Sequence, residues 1–179
     1  MSADRGAEVL KFWFSLGYDD WWNGGPELDH RIRQQFLKLW AEKREMPVES
    51  FLDDPLTALA AVILFDQFPR NMFRGHADQY STDHLALAIA KAAVDKGFDE
   101  QVETQERIFL YMPFQHSEDL AEQDRGVLLV TALGDAKYLG YARKHRDVIA
   151  RFGRFPHRNA ILGRAPRPDE IAAGNVTPF

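Results

Sequence analysis

The chain contains no cysteine among its 179 residues. This absence excludes disulfide bonds, thiolate nucleophiles, CxxC redox motifs and cysteine-ligated zinc or iron–sulfur centres. The sequence also lacks a run of about 18 apolar residues, which a membrane-spanning helix requires. The segment from Met1 to Leu10 has no basic region followed by an apolar run, so no secretory signal is expected. We therefore predict a cytoplasmic protein with no membrane partner.

Several enzyme signatures are missing as well. The sequence contains no GxSxG elbow, no phosphate-binding P-loop, no GxGxxG and no HExxH, so esterase, nucleotide hydrolase, dinucleotide-binding and metalloprotease classes have no support. The string from His116 to Glu118 resembles half of a zinc-deaminase signature, but the cysteine half is absent. We predict neither a metal ion nor another cofactor.

The charge is unevenly distributed along the chain. The net charge of −5 disfavours nucleic acid as a partner, because phosphate backbones repel an acidic protein. Residues 1–142 carry 14 Lys and Arg against 24 Asp and Glu, whereas residues 143–167 carry eight basic residues against Asp147 alone. The basic segment either neutralises the acidic body internally or forms an anion-binding face, since arginine's planar fork matches carboxylate and phosphate.

The hydrophobic pattern predicts helices throughout. Apolar residues recur at spacings of three and four, and strand-like alternation is rare. A chain of this length, 45% hydrophobic and 27% charged, is typical of one globular domain. We predict a single all-α domain over residues 1–179, with antiparallel helix pairs stacked as a short tetratricopeptide-like superhelix or bundle. Predicted boundaries include a start at Asp54-Pro55, a stop at Pro113, a cap at Ser117 and an end near Phe152.

The first polar segment of interest is Asp66-Gln67-Phe68-Pro69-Arg70-Asn71. It follows the apolar run Ala60 to Phe65, so the carboxylate of Asp66 enters a core and needs a partner. Pro69 disfavours helix at the preceding residue, so Asp66 and Arg70 need not form a simple i,i+4 pair on one helix. We therefore predict that the partner of Asp66 comes from elsewhere in the chain. Asp66, Arg70 and Asn71 are candidate ligand-binding residues. A buried ion pair that locks a helix–turn junction is the alternative.

The second segment is Phe152-Gly153-Arg154-Phe155-Pro156-His157-Arg158-Asn159, followed by Leu162-Gly163-Arg164. It repeats the Phe-Pro-(x)-Arg-Asn pattern of the first segment with one residue inserted. Basic side chains flanked by Gly, Pro and Asn are typical of a shaped loop. We predict an anion-holding loop with Arg154, His157, Arg158, Asn159 and Arg164 as ligand-binding residues. Alternatively, Arg154 and Arg158 neutralise Asp66, Glu118 or Asp119 inside the fold.

The third segment is His116-Ser117-Glu118-Asp119. Helix capping and the helix dipole account for Ser117 and both acids, although Glu118 and Asp119 are retained as candidate ligand-binding residues. Capping does not require His116, so this histidine is the candidate catalytic general acid or base. His145 lies on the apolar stripe of its helix and is predicted to be an interior histidine.

These three segments, together with the early Phe12-Trp13-Phe14, resemble the bacterial domain-of-unknown-function family nine-two-four. The combination includes Tyr111-Met112-Pro113 before His116 and covers nearly the whole chain. The resemblance implies an all-helical, tetratricopeptide-like superhelix that occurs as a single-domain protein widely in bacteria. It supplies no reaction, cofactor or partner.

Three functional hypotheses follow. The first is a soluble, non-catalytic binding domain whose arginine-rich site takes a small anionic ligand or an acidic peptide. The second is a small hydrolase- or lyase-type enzyme that uses His116, with Asp66, Glu118 or Asp119 to orient it. The third is that the polar cluster is purely structural. In the first two, the two Phe-Pro-(x)-Arg-Asn segments are expected to meet near His116. The oligomeric state is left open.

Overall fold

The computed structural model describes residues 1 and 3–177, and this part of the chain contains α-helices, short turns of 3₁₀-helix and no strand. The predicted all-α class is confirmed. The tetratricopeptide-like stacking stays a prediction. The α-helices of the described residues are α1 (Ala3–Phe14), α2 (Tyr18–Trp22), α3 (Pro26–Lys43), α4 (Pro55–Val62), α5 (Phe68–Met72), α6 (Asp83–Asp95), α7 (Thr104–His116), α8 (Leu120–Ala132), α9 (Ala136–Phe152) and α10 (Pro168–Ala173).

The backbone divides into two compact units, residues 1–113 and residues 114–179. We refer to them as the N-terminal unit and the C-terminal unit and describe each by itself. The boundary falls within α7, after Pro113. The prediction of one domain over residues 1–179 stays a prediction.

The core of the N-terminal unit is built around α4. Every residue of that helix from Thr57 to Val62 is buried, because the sequence there is apolar nearly all round, and α1 and α6 pack against it. Aromatic rings extend this core: Phe68 lies 4.6 Å from Phe36 and 5.7 Å from Trp13 between ring centroids. Each such side chain contributes about 1.5–3 kcal/mol through its burial.

The helix that begins at Pro55 continues through Pro69, so the expectation that this proline disfavours helix at the preceding residue is wrong. Residues Ile63–Gln67 form one turn of π-helix between α4 and α5, and the N–H of Phe68 donates to the Ile63 carbonyl five residues back. A proline removes one helical N–H and crowds the carbonyl four residues before it. The wider π-turn relieves that crowding and lets the chain remain helical.

The predicted helix stop at Pro113 is also wrong, because Pro113 lies inside α7. The residues around it, from Ile108 to Gln115, are all buried. Burial of this helix on nearly every side offsets the roughly 3 kcal/mol that an interior proline costs.

A buried hydroxyl replaces the hydrogen bond that Pro69 cannot make. The Phe65 carbonyl is four residues before Pro69, and the Thr82 hydroxyl donates to it at 2.7 Å. The Trp40 indole N–H in turn donates to the Thr82 hydroxyl oxygen at 3.2 Å. All three groups are buried, so this chain of hydrogen bonds satisfies polar groups that would otherwise be expensive to desolvate.

We expect Thr82→Val, which conserves shape, to lower the free energy of unfolding by about 2–3 kcal/mol because it orphans the Phe65 carbonyl and the Trp40 indole. Urea denaturation followed by circular dichroism measures the change. The matched control is Thr131→Val: the exposed Thr131 hydroxyl donates to the Val127 carbonyl at 2.6 Å, where water can replace it. A loss for Thr82→Val no larger than that for Thr131→Val would contradict the proposed relay.

The C-terminal unit is organised by the packing of α8 against α9. Helix α8 begins two residues later than predicted, because Asp119 and not Ser117 is its N-cap: the Asp119 carboxylate accepts the Ala121 N–H at 2.8 Å. Helix α9 ends at Phe152 as predicted, with Gly153 at φ +66° in the left-handed conformation that favours glycine.

Gly126 permits a close approach of α8 to Phe114, since a Cβ added at Gly126 would lie 2.9 Å from the Phe114 Cβ. We expect Gly126→Ala to lower the free energy of unfolding by about 1–3 kcal/mol through overpacking. Gly140→Ala in α9 is the control: no described atom lies within 4 Å of its added Cβ, so we expect a gain of about 0.5–1 kcal/mol. Thermal unfolding of both variants checks the pair, and equal shifts of the same sign would contradict the packing argument.

Candidate functional site

In the N-terminal unit, Asp66 is fully buried and shares Arg70 with Asp83. The Arg70 Nη1 lies 3.4 Å from Asp66 Oδ1, and the guanidinium donates to both oxygens of Asp83 at 2.9 and 3.0 Å. Burial alone lowers the pKa of Arg70, but the charges of Asp66 and Asp83 outweigh it and the pKa is raised. The i,i+4 pair therefore forms after all, since the helix continues through Pro69, and Asp83, from elsewhere in the chain, is a second partner of Arg70 and not a partner of Asp66.

Asn71 belongs to a second group in the same unit. Its side-chain amide donates to Asp29 Oδ1 at 2.8 Å, and Arg74 holds the same carboxylate with two hydrogen bonds of 2.7 and 2.9 Å. Gly24, at φ +50°, lies close by: a Cβ there would be 3.2 Å from Arg74 Nη2. Asp29 was missed in the sequence because more than 40 residues separate it from Asn71 and Arg74, and no local pattern marks the pairing.

In the C-terminal unit, Glu118 and Arg164 form a bidentate ion pair. Arg164 Nη1 donates to Glu118 Oε2 at 2.7 Å and Nη2 to Oε1 at 3.0 Å, and the backbone N–H of Phe155 donates to the same carboxylate at 2.7 Å. Burial alone would raise the pKa of Glu118, but the hydrogen bonds from Arg164 and Phe155 outweigh it and the pKa is lowered. Arg164 also donates to the Phe155 carbonyl at 3.0 Å and, through Nε, to Asn159 Oδ1 at 3.1 Å.

Glu170 plays the same role for Arg154. The Arg154 fork donates to Glu170 at 2.6 and 2.8 Å, and the Asn159 amide and the Arg167 N–H donate to Glu170 Oε2 at 2.9 and 2.7 Å. The hydrogen bond from Arg154 is the main reason that the pKa of Glu170 falls to about 2. Sequence reasoning missed Glu170, although one signal was available: it stands three residues after Arg167, behind Pro168, as the acid of a capping box.

Three histidines lie in this unit. The rings of His116 and His145 are 6.3 Å apart, and His145 Nδ1 is 2.8 Å from the Tyr141 carbonyl, which requires the proton on Nδ1. His145 is buried, in agreement with its predicted interior position, and burial lowers its pKa to about 3. Burial, followed by the charge of Arg158, lowers the pKa of His157 to about 4. Both imidazoles are therefore neutral at pH 7.

Arg158 is buried with its guanidinium 4.5 Å from the centroid of the Phe155 ring. This stacking is a cation–π contact. The charge of Arg158 lowers the pKa of His145 and His157 and helps to lower that of Glu118, so this arginine contributes to the electrostatics of all three groups.

An open cleft of about 350 Å³ lies on the surface of the C-terminal unit. His157 and Arg164 contribute to its polar lining, beside apolar side chains of the segment before α10 and of α10 itself. Its size falls at the lower end of the range for small-molecule sites. The complete lining is Pro156, His157, Asn159, Ala160, Arg164, Pro166, Glu170, Ile171, Gly174, Asn175 and Val176.

The predicted site residues thus fall into two groups. Asp66, Arg70 and Asn71 lie in the N-terminal unit, and the remaining candidates lie in the C-terminal unit. Their meeting near His116, and every ligand-binding or catalytic role assigned to them, stay predictions. Among the described residues, no group of three or more His, Asp or Glu side chains is arranged to hold a metal ion. No helix in residues 1 and 3–177 is both long enough and apolar enough to cross a bilayer.

Together these features define an all-α protein with a small, mostly apolar cleft in its C-terminal unit. The model of a family described as a bacterial protein of unknown function (DUF924) matches residues 9–173, and the chain belongs to this family. A solved structure of a protein of unknown function from Agrobacterium tumefaciens is similar to it, with 39% sequence identity and a TM-score of 0.89 over 97% of this chain and 98% of that one. No curated protein matches the chain significantly.

The lowered pKa of Glu170 predicts how stability depends on acid. The carboxylate stabilises the fold fully above its ordinary pKa of 4.5, and this contribution is lost as the pH falls toward about 2. We expect Glu170→Gln to be less stable than the wild type at pH 7 and to lose less stability between pH 5 and 2. Denaturant titrations across this range measure both effects. Glu49→Gln, at an exposed position, is the control, and a parallel pH profile for Glu170→Gln and wild type would contradict the assignment.

Proposed function

We propose that this protein is a binding domain for a small oxyanion, a carboxylate or phosphate group, received in the cleft beside His157 and Arg164. The observation that carries the proposal is that two hydrogen-bonding side chains of basic type line one open cleft of about 350 Å³. Ligand sites are commonly of this kind, with a few polar groups fixed in a largely apolar concave surface.

Arg164 is held in position before any ligand arrives. Glu118, Asn159 and the Phe155 carbonyl accept four hydrogen bonds from its guanidinium. A guanidinium carries five N–H groups, so the contacts with described residues leave one hydrogen of Nη1 for a further acceptor. A side chain that is already ordered loses little conformational entropy on binding, which favours affinity.

Electrostatics around the cleft also favour an anion. The segment 152–167, which supplies most of the lining, carries four arginines and no acid, and the charged side chains in the lining itself are Arg164 and Glu170. Arg158 is buried near His157, where its field is weakly screened. The arginines of the segment are Arg154, Arg158, Arg164 and Arg167.

The test measures binding of acetate, sulfate and inorganic phosphate to the full chain by NMR titration. We expect His157→Ala to weaken binding about ten- to hundredfold, because a hydrogen bond to a charged ligand contributes about 1.5–3 kcal/mol. Arg143→Ala, at an exposed position on α9, removes a positive charge from the same unit and serves as the control. We expect it to change the affinity by less than about twofold, through long-range electrostatics alone.

Proton linkage provides a second readout in the same experiment. A bound anion favours the protonated imidazolium, so it raises the pKa of His157 above about 4. Sulfate affinity should therefore rise as the pH falls toward 4, and this rise should shrink in His157→Ala. Absence of binding for all three anions, or equal affinities for His157→Ala and wild type, would overturn the proposal.

A further inference from the structure

The cleft has an apolar wall beside its polar side chains. Pro156, Ala160 and Pro166 come from the irregular segment before α10, and Ile171 and Val176 come from α10 and the residues after it. Carboxylate or phosphate groups alone would not use this surface. The wall can contribute to binding only through an apolar part of a ligand that is removed from water.

Ile171 is the most informative residue of this wall. It is 66% exposed, whereas its neighbour Glu170 is buried and holds Arg154 and Asn159. The position of α10 is fixed by Glu170, so the helix does not need Ile171 for its packing. A large apolar side chain that lines a cleft and remains exposed is available to a ligand.

The polar side of the cleft favours a single negative charge. Arg164, which lines the cleft, keeps one hydrogen of Nη1 for a carboxylate oxygen, and the carboxylate of Glu170 in the same lining disfavours a second negative charge on the ligand. A volume of about 350 Å³ limits the apolar part to a short chain.

We infer that the ligand is an aliphatic monocarboxylate, with its carboxylate beside His157 and Arg164 and its chain along Ile171 and Val176. This inference rests on the proposed function and names the ligand class for the same cleft. It does not require any covalent step.

The experiment compares acetate, butyrate, hexanoate and octanoate with the full chain, by NMR titration of isoleucine methyl groups. We expect the affinity to rise about two- to fourfold for each methylene added, until the cleft is filled, because burial of one CH₂ contributes about 0.8 kcal/mol at most. The Ile171 methyl resonance should shift with hexanoate and octanoate and should remain nearly unchanged with acetate.

Ile171→Ser should abolish the dependence of affinity on chain length. Leu128→Ser is the matched control: Leu128 is 72% exposed on α8 and does not line the cleft, so the dependence should persist. Should either variant fail to fold, the Ile171 methyl shift in the wild-type protein still tests whether the aliphatic chain binds along Ile171.

The outcomes separate the two proposals. Acetate binding that depends on His157, combined with affinities independent of chain length, would overturn the aliphatic ligand and keep the oxyanion site. Chain-length dependence that persists in Ile171→Ser would also overturn it, because the chain would then bind elsewhere. Absence of His157-dependent binding by any anion would overturn the proposed function itself.

Discussion

The bidentate ion pair between Glu118 and Arg164 is the interaction on which the irregular segment 153–167 of the C-terminal unit depends. The segment 153–167 has only a short 3₁₀-helix, Pro156–Arg158, and a few turn hydrogen bonds, so some of its backbone groups need side-chain partners. Glu118 accepts the N–H of Phe155 and Arg164 donates to the carbonyl of Phe155, so this pair holds both backbone polar groups of one residue. The same arginine borders the cleft, and its position is therefore set by the fold and not by a ligand.

Glu170 and Arg154 extend this arrangement toward α10. Glu170 pairs with Arg154 and Glu118 pairs with Arg164, so two glutamates neutralise two arginines of a strongly basic segment. Of the two alternatives that the sequence leaves for these arginines, internal neutralisation is observed for Arg154 and Arg164, and anion binding stays a proposal. Arg154 and Arg164 both engage internal carboxylates, and Arg164 additionally lines the cleft with His157.

The N-terminal unit depends on a different constraint, a proline inside a buried helix. Pro69 leaves the Phe65 carbonyl without its helical donor, and the Thr82 hydroxyl supplies one. The π-turn before Pro69 keeps the chain helical, so Arg70 remains one turn after Asp66 and can pair with it. The sequence similarity between the two Phe-Pro-(x)-Arg-Asn segments therefore does not extend to their local structure. The first segment continues a helix, whereas the second follows the end of one.

The sequence by itself determined the all-α class, the burial of α4 and the end of α9 at Phe152, because apolar spacing and glycine placement are local signals. It also placed Arg154, His157 and Arg164 among the candidate ligand-binding residues. It did not predict the helix through Pro69, since the hydroxyl that compensates comes from Thr82 on a different part of the chain. Nor did it identify Asp29, Asp83 or Glu170, because the partner of a buried charge is chosen by proximity in space. Tertiary structure alone decided which carboxylate each arginine holds and where a cleft remains.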